Sequence, residues 1–161
     1  MQVKGPAAKV AAILAAAAIA VPVIAHFEGY EPVGYRDPAP GAFETICYGH
    51  MERGVLGKRY SPEKCAELLA EDAVKHGIDI AACLPEKLPN KTRAAFTATA
   101  YNIGVGGFCG SSMARKARAG DLRGACDALM LWTKAGGKEL RGLVRRRAAE
   151  RELCLQGVRE G

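Results

Sequence analysis

Two acidic residues near the start of the chain stand in settings that would drive their chemistry apart. Glu28 directly follows a long apolar run and is flanked by Phe27 and Gly29. A carboxyl group set against apolar neighbours is penalised when ionised, so this one is expected to keep its proton near neutrality. Asp37 lies nine residues further on, in a Pro/Gly-rich segment predicted to turn back towards Glu28. Wetter surroundings there would leave it ionised. A proton donor facing an ionised carboxylate can hydrolyse a glycosidic bond, the first protonating the leaving oxygen and the second activating water. A Glu and an Asp at this spacing are also common on ordinary surfaces, so the pair alone does not identify an enzyme. His50 is a candidate base or a brace for a small sheet, and bracing by hydrogen bonds is the favoured reading. Trp132 suits either stacking on a sugar or plugging a helical core.

The elements that must position these residues fall into two zones. From Glu28 to about Tyr60 the chain is punctuated by Gly29, Pro32, Gly34, Pro38, Pro40, Gly41, Gly49, Gly54 and Gly57, which predicts turns and short strands, with Phe43 to Tyr48 the best strand. From Ser61 the pattern is helical. Ser61-Pro62-Glu63 places a capping residue before a proline at the first helical position, and Cys65, Leu68, Leu69, Ala73 and Val74 recur at helical spacing, with Gly77 a candidate break. A second helix is predicted from Asn90 to about Gly104, with shorter ones at Ser112 to Ala119 and Asp121 to Trp132. A last helix is predicted from Lys138 to Leu155, with Leu140, Leu143, Val144 and Leu155 turned inward. A small β-containing lobe followed by a larger helical lobe makes an α+β fold with a cleft between the two.

Length and composition set the frame. The chain has 161 residues, 25% of them charged, and a net charge of +6. That fits one globular domain with an affinity for polyanions such as the bacterial envelope, a membrane surface or nucleic acid. Nucleic acid ranks last, because no recognised binding motif or aromatic–basic platform is present. The arginines Arg141, Arg145, Arg146, Arg147 and Arg151 are expected to form a solvated helix face. Cys47, Cys65, Cys83, Cys109, Cys126 and Cys154 are even in number and lack metal-ligand spacing, which favours disulfides and an oxidising compartment such as the periplasm. No metal or cofactor is expected.

The N-terminal segment, residues 1–27, reads as separate from a catalytic domain at 28–161. Lys4 and Lys9 precede an uncharged apolar run of 18 residues from Val10 to Phe27, rich in alanine and interrupted by Pro22. A basic start before an apolar run is an export signal. Alanine partitions weakly into lipid, so a cleaved leader, a permanent anchor and an anchor able to leave the membrane all stand open. A core helix is the fourth possibility and is disfavoured, because the run has no polar face.

The run Glu28-Gly29, Asp37, Gly41 and Thr45-Ile46-Cys47-Tyr48-Gly49-His50 resembles the active-site segment of the phage lysozymes of glycoside hydrolase family 24. Further matches follow in order at Tyr101-Asn102-Ile103-Gly104, Gly124-Ala125-Cys126-Asp127, Trp132 to Lys138, Gly142-Leu143, Arg145 to Arg147 and Glu152-Leu153-Cys154-Leu155. The resemblance implies an endolysin muramidase that cuts the β-1,4 bond between N-acetylmuramic acid and N-acetylglucosamine in peptidoglycan. Glu28 would be its general acid, with Asp37 and Thr45 holding the attacking water and His50, Tyr101, Asn102 and Trp132 as substrate-binding candidates. An inverting reaction would need the two carboxyls roughly 6.5–9.5 Å apart. Seven residues separate Asp37 from Thr45, more than is usual in the family, and the turn from Pro38 to Glu44 would absorb the excess. The family context suggests the disulfides Cys126–Cys154, Cys47–Cys65 and Cys83–Cys109. Some relatives carry an uncleaved signal-arrest-release segment, and Val10 to Phe27 resembles one. That implies a monomer tethered first to the inner membrane and then freed in the periplasm. The competing functions are a lytic transglycosylase and a non-catalytic wall- or membrane-binding lysis protein.

Overall fold

In the computed structural model, residues 5–38 and 41–161 are described. Lys4 and the Ala39–Pro40 step of the expected turn lie outside them. The apolar run forms helix α1 (Pro6–Glu28), with a proline in its first turn and Gly29 closing its end at φ 76°. Strands β1 (Glu31–Arg36), β2 (Glu44–Cys47) and β3 (His50–Met51) form an antiparallel sheet in that order. Helix α2 (Pro62–Ala81) opens as its sequence predicts, with the Ser61 side chain accepting from the Lys64 amide. Helix α3 (Asn90–Ile103) stops at Gly104. Helices α4 (Val105–Cys109), α5 (Ser112–Arg118) and α6 (Leu122–Asp127) follow, then a 3-10 turn at Ala128–Leu131. A two-stranded hairpin, β4 (Lys134–Ala135) and β5 (Lys138–Glu139), leads into the last helix, α7 (Arg141–Glu160).

Helix α3 is the axis of the molecule. Its residues from Thr92 to Ala100 are all buried, enclosed by α1, α2 and α7. The Thr97 hydroxyl donates back to the Arg93 carbonyl and the Thr92 hydroxyl to the Cys154 carbonyl, while the Thr99 hydroxyl shares its one proton between the Ala95 carbonyl and a Glu150 carboxylate oxygen, so no buried hydroxyl of this stretch goes unused. One core cluster fills the helical lobe around Phe96, Phe108, Met113 and Leu129. A second is built largely of small residues: Ala16, Ala17, Ala20 and Ile24 of α1 meet Leu69 and Ala73 of α2 and Ala94 and Ala98 of α3. Alanines on both sides let the helix backbones approach closely. The alanine content that weakens α1 as a membrane segment therefore suits it as a core helix. Its opposite side, Val10, Leu14, Ala18 and Pro22, is exposed, and the hydrogen bond that Pro22 cannot make is lost on that wet side.

Three disulfides are present: Cys47–Cys65 joins β2 to α2, Cys83–Cys109 joins the end of α2 to α4, and Cys126–Cys154 joins α6 to α7. In the β lobe, the Glu44 carboxylate accepts from the Gly54 amide (2.6 Å), the Val55 amide (2.9 Å) and the Arg36 guanidinium (2.9 Å). Burial works to raise the Glu44 pKa, but the Val55 and Gly54 amides and Arg36 outweigh it and hold the carboxyl below its ordinary range.

Four expectations need correcting. Gly77 does not break α2; it lies inside it, fully packed, where a Cβ would come within 3.2 Å of the Ile13 side chain. A small residue is needed there for α1 to approach. The last helix starts at Arg141 because Lys138 and Glu139 pair with Ala135 and Lys134 in the hairpin. Leu140, just before it, is 44% exposed and is not a core residue. Finally, Arg146 and Arg147 do not belong to a solvated face: they are 4% and 1% exposed, and only Arg141 and Arg145 fit the expectation fully.

Candidate active site

Glu28 is the last residue of α1, so its position follows from how that helix is seated. Ile24, one turn earlier, is completely buried against α2 and α3 and fixes the rotation of the helix end. The Glu28 side chain is 20% exposed and meets the Arg146 guanidinium at 2.7 Å. The same guanidinium lies 5.8 Å from the centre of the Phe27 ring. The apolar setting expected for Glu28 is thus half of what surrounds it; the other half is a buried cation.

A cleft of about 290 Å³ opens in front of Glu28, lined by Glu28, Gly29, Tyr30, Glu31, Tyr35, Cys47 and Gly49. Gly49 holds φ 83°, and a Cβ there would sit 3.6 Å from the Glu28 carboxylate. Cys47, tied to Cys65, takes a left-handed φ of 64°, a conformation rare for a residue with a side chain. Together they turn the chain from β2 to β3 beside the carboxylate.

Asp37 lies one residue past the end of β1, and Thr45 is on β2 opposite Tyr35. Opposed residues of an antiparallel pair point to one face, so Thr45 shares the face of Tyr35, which lines the cleft. The Thr45 hydroxyl donates to the Phe43 carbonyl at 3.2 Å. Neither Asp37 nor Thr45 is among the residues lining the cleft itself.

His50, on β3, has Nδ1 2.7 Å from an Asp72 carboxylate oxygen and Nε2 3.7 Å from Glu52, linking the sheet to α2. The Tyr101 hydroxyl donates to the Tyr48 carbonyl at 2.6 Å. Burial, followed by the nearby Asp72 and Glu28 carboxylates, pushes its pKa far up, so it remains a donor. Asn102 accepts a hydrogen bond from Arg147 through its side-chain oxygen. Trp132 packs partly buried against the helical core, and its carbonyl accepts from Arg147 Nε at 3.0 Å. Tyr101 therefore flanks the cleft from α3, whereas Asn102 and Trp132 meet the α7 arginines.

Glu150 and Asp72 do not stand out in the sequence, and Arg146 does so only as part of an expected solvated arginine face. The spacing of Arg146 and Arg147 to Glu150, four and three residues, was the available sign. It is indistinguishable from an ordinary surface pair until burial is known. Among the described residues, no group of three or more His, Cys, Asp or Glu is arranged to hold a metal ion.

The geometry can be set beside known proteins. A family profile described as Phage lysozyme matches residues 25–150. The SAR-endolysin of Enterobacteria phage P21 is 40% identical over 131 residues, 81% of this chain and 78% of its own length. The SAR-endolysin of Bacteriophage PS119 is 41% identical over 114 residues, 70% of this chain and 68% of its own. Among solved structures, the muramidase domain of SpmX from Asticaccaulis excentricus aligns with a TM-score of 0.77 at 28% identity, covering 85% of this chain and 95% of that one. A P22 lysozyme variant aligns with a TM-score of 0.73 at 30% identity, with the same coverage. With a small sheet, a helical lobe and a cleft at Glu28 in common cause with these similarities, the chain belongs to the phage lysozyme family.

Proposed function

We propose that this glycoside hydrolase is an endolysin muramidase, cutting the β-1,4 bond between N-acetylmuramic acid and N-acetylglucosamine of peptidoglycan. The observation that carries the reading is the Glu28 carboxylate, held by Arg146 at the wall of a cleft between the lobes. In the proposed step Glu28, in its protonated form, donates its proton to the glycosidic oxygen and is left as the carboxylate paired with Arg146. Asp37, just past the end of β1, and Thr45, on β2, would hold the water that attacks the anomeric carbon from the opposite side, with Asp37 accepting the proton that the water loses. That arrangement needs the carboxyls to stand roughly 6.5–9.5 Å apart in the complex with sugar. Tyr30 and Tyr35, both exposed at the cleft, offer rings on which a sugar face can rest.

Residues 1–27 act in this reading as a membrane tether that is not cleaved. At 23 residues and about 1.5 Å per residue, α1 is long enough for a bilayer core, and its composition is apolar enough to cross one. While it lies in lipid, Glu28 stays at the interface; once released into the periplasm, it packs as the core helix described above and delivers Glu28 to Arg146. The released enzyme works as a monomer and needs no nucleic acid.

Glu28→Gln and Asp37→Asn in the full chain test the chemistry on purified peptidoglycan. Both are expected to lower turnover at least about 100-fold, and the wild type to leave reducing muramic acid ends. Full activity of Glu28→Gln would reject catalysis by this residue. A 1,6-anhydro product with Asp37→Asn still active would make the protein a transglycosylase.

A further inference from the structure

We propose that Glu150 is a positioning residue for the hydrolysis, acting through Arg146 on the carboxyl of Glu28. The proposal rests on Glu28 being the acid. Glu150 lies in α7, is completely buried and lines no part of the cleft. Both of its oxygens are engaged: one accepts from Arg146 Nε at 2.9 Å, the other from Arg147 Nη1 and from the Thr99 hydroxyl at 3.1 Å.

Through these bonds Glu150 sets the direction of Arg146. The guanidinium has Nε on Glu150, Nη2 on the Ala98 carbonyl at 3.2 Å and Nη1 on Glu28 at 2.7 Å. Because the guanidinium is planar and rigid, fixing two of its nitrogens fixes the third. Arg147 anchors Glu150 from the far side and is itself held by the Trp132 carbonyl and Asn102. The chain of contacts therefore runs from the β4 approach and the end of α3, through α7, to the last residue of α1.

Charge leads to the same conclusion. Two buried guanidinium groups share one buried carboxylate, so the cluster carries one uncompensated positive charge until Glu28 arrives. Buried charge is tolerated only when paired, and the vacancy lies at the Nη1 corner of Arg146. α3 and α7 thus form a socket for a carboxylate at one place, and Glu150 aims it. With Glu150 neutralised, Arg146 loses its tether at Nε and one positive charge of the cluster is left unmatched, so the Glu28 carboxyl is pulled inward and off the glycosidic oxygen.

The test uses the full-length chain carrying Glu150→Gln, which preserves shape, with near-ultraviolet circular dichroism and a thermal melt to establish that it is folded at the assay temperature. Displacement of a reacting group by about 1 Å is worth on the order of 100-fold, so kcat on peptidoglycan is expected to fall about 10- to 100-fold. KM is expected to stay within about 2-fold, because no contact to the ground-state sugar is removed. In an Arg146→Lys background, which cannot make the Nε bond, Glu150→Gln is expected to cause no further loss. If Glu150→Gln does not fold, Arg147→Lys loosens Glu150 while keeping the charge, and is expected to lower kcat about 3- to 10-fold at unchanged KM. Wild-type kcat in the folded variants, a loss carried by KM, or losses that multiply with Arg146→Lys would each overturn the proposal. An active Glu28→Gln would instead remove the reading of Glu28 on which it rests.

Discussion

Replacing Ala20 by leucine sets the two environments of α1 against each other. Ala20 is fully buried in the small-residue cluster, between Ala73 on α2 and Ala94 and Ala98 on α3. Three added carbons have no room there, and overpacking of a filled core costs about 1–3 kcal/mol. In lipid the same three carbons are welcome, at about 0.8 kcal/mol each, or about 2.4 kcal/mol in favour of the inserted state. The balance between inserted and folded helix should shift by about 3.4–5.4 kcal/mol towards the membrane, a factor of roughly 300 to 9,000. Ala18 supplies the control. It lies on the exposed side of α1, so Ala18→Leu gains the lipid term without the packing penalty and should shift the balance only about 50-fold. The assay is the fraction of enzyme in the soluble compartment after the membrane potential is collapsed, paired with melts of detergent-free protein. Ala20→Leu should remain with the membrane and melt several degrees lower; Ala18→Leu should be partly retained and melt like wild type. Equal release and equal melting of Ala20→Leu and wild type would refute the idea that α1 exchanges lipid for core.

Further outcomes follow from the β lobe and the cross-links. Glu44→Gln should destabilise the sheet at neutral pH. Because the folded-state pKa of Glu44 is depressed, its contribution is present above the ordinary value of about 4.5 and fades as pH falls through the folded value, so urea melts of wild type and variant should converge in acid. Gly34→Ala would put a Cβ 1.9 Å from the Val55 carbonyl oxygen. It should cost at least about 1–3 kcal/mol, read as a melting point lower by several degrees and loss of the cleft wall. Replacing both Cys126 and Cys154 by alanine opens a cross-link with a sequence separation of 28 residues and should cost about 3–4 kcal/mol in a denaturant titration under oxidising conditions.

Local chemistry in the sequence carried a good part of the fold. Ser61-Pro62 marks a helix start because a hydroxyl and a ring with fixed φ act within one turn. Gly104 marks a stop for a similarly local reason, and the Phe43 to Tyr48 segment holds β2. Glu28 and Asp37 stood out through their neighbours. What stayed hidden depended on distant partners. Gly77 looks like a break until Ile13 is placed against it, and Arg146 and Arg147 look solvated until α3 covers them. Lys138 and Glu139 carry no strand pattern; they pair because Gly136 and Gly137 hold positive φ and turn the chain. Glu44 and Glu150 are ordinary glutamates whose meaning comes wholly from the donors that the fold brings to them.

The seating of α1 has a practical corollary for anyone preparing the protein. Apolar leaders are routinely trimmed to improve yield, and a cut after Ala25 would look harmless on paper. Here it would withdraw Ile13, Ala16, Ala17, Ala20 and Ile24 from beneath Leu69, Ala73, Ala94 and Ala98, leaving a greasy trench along the molecule. It would also leave Glu28 on a frayed end with no helix to present it. Such a shortened product should clump and fail to clear a turbid cell suspension, and its inactivity would say nothing against the two carboxylates.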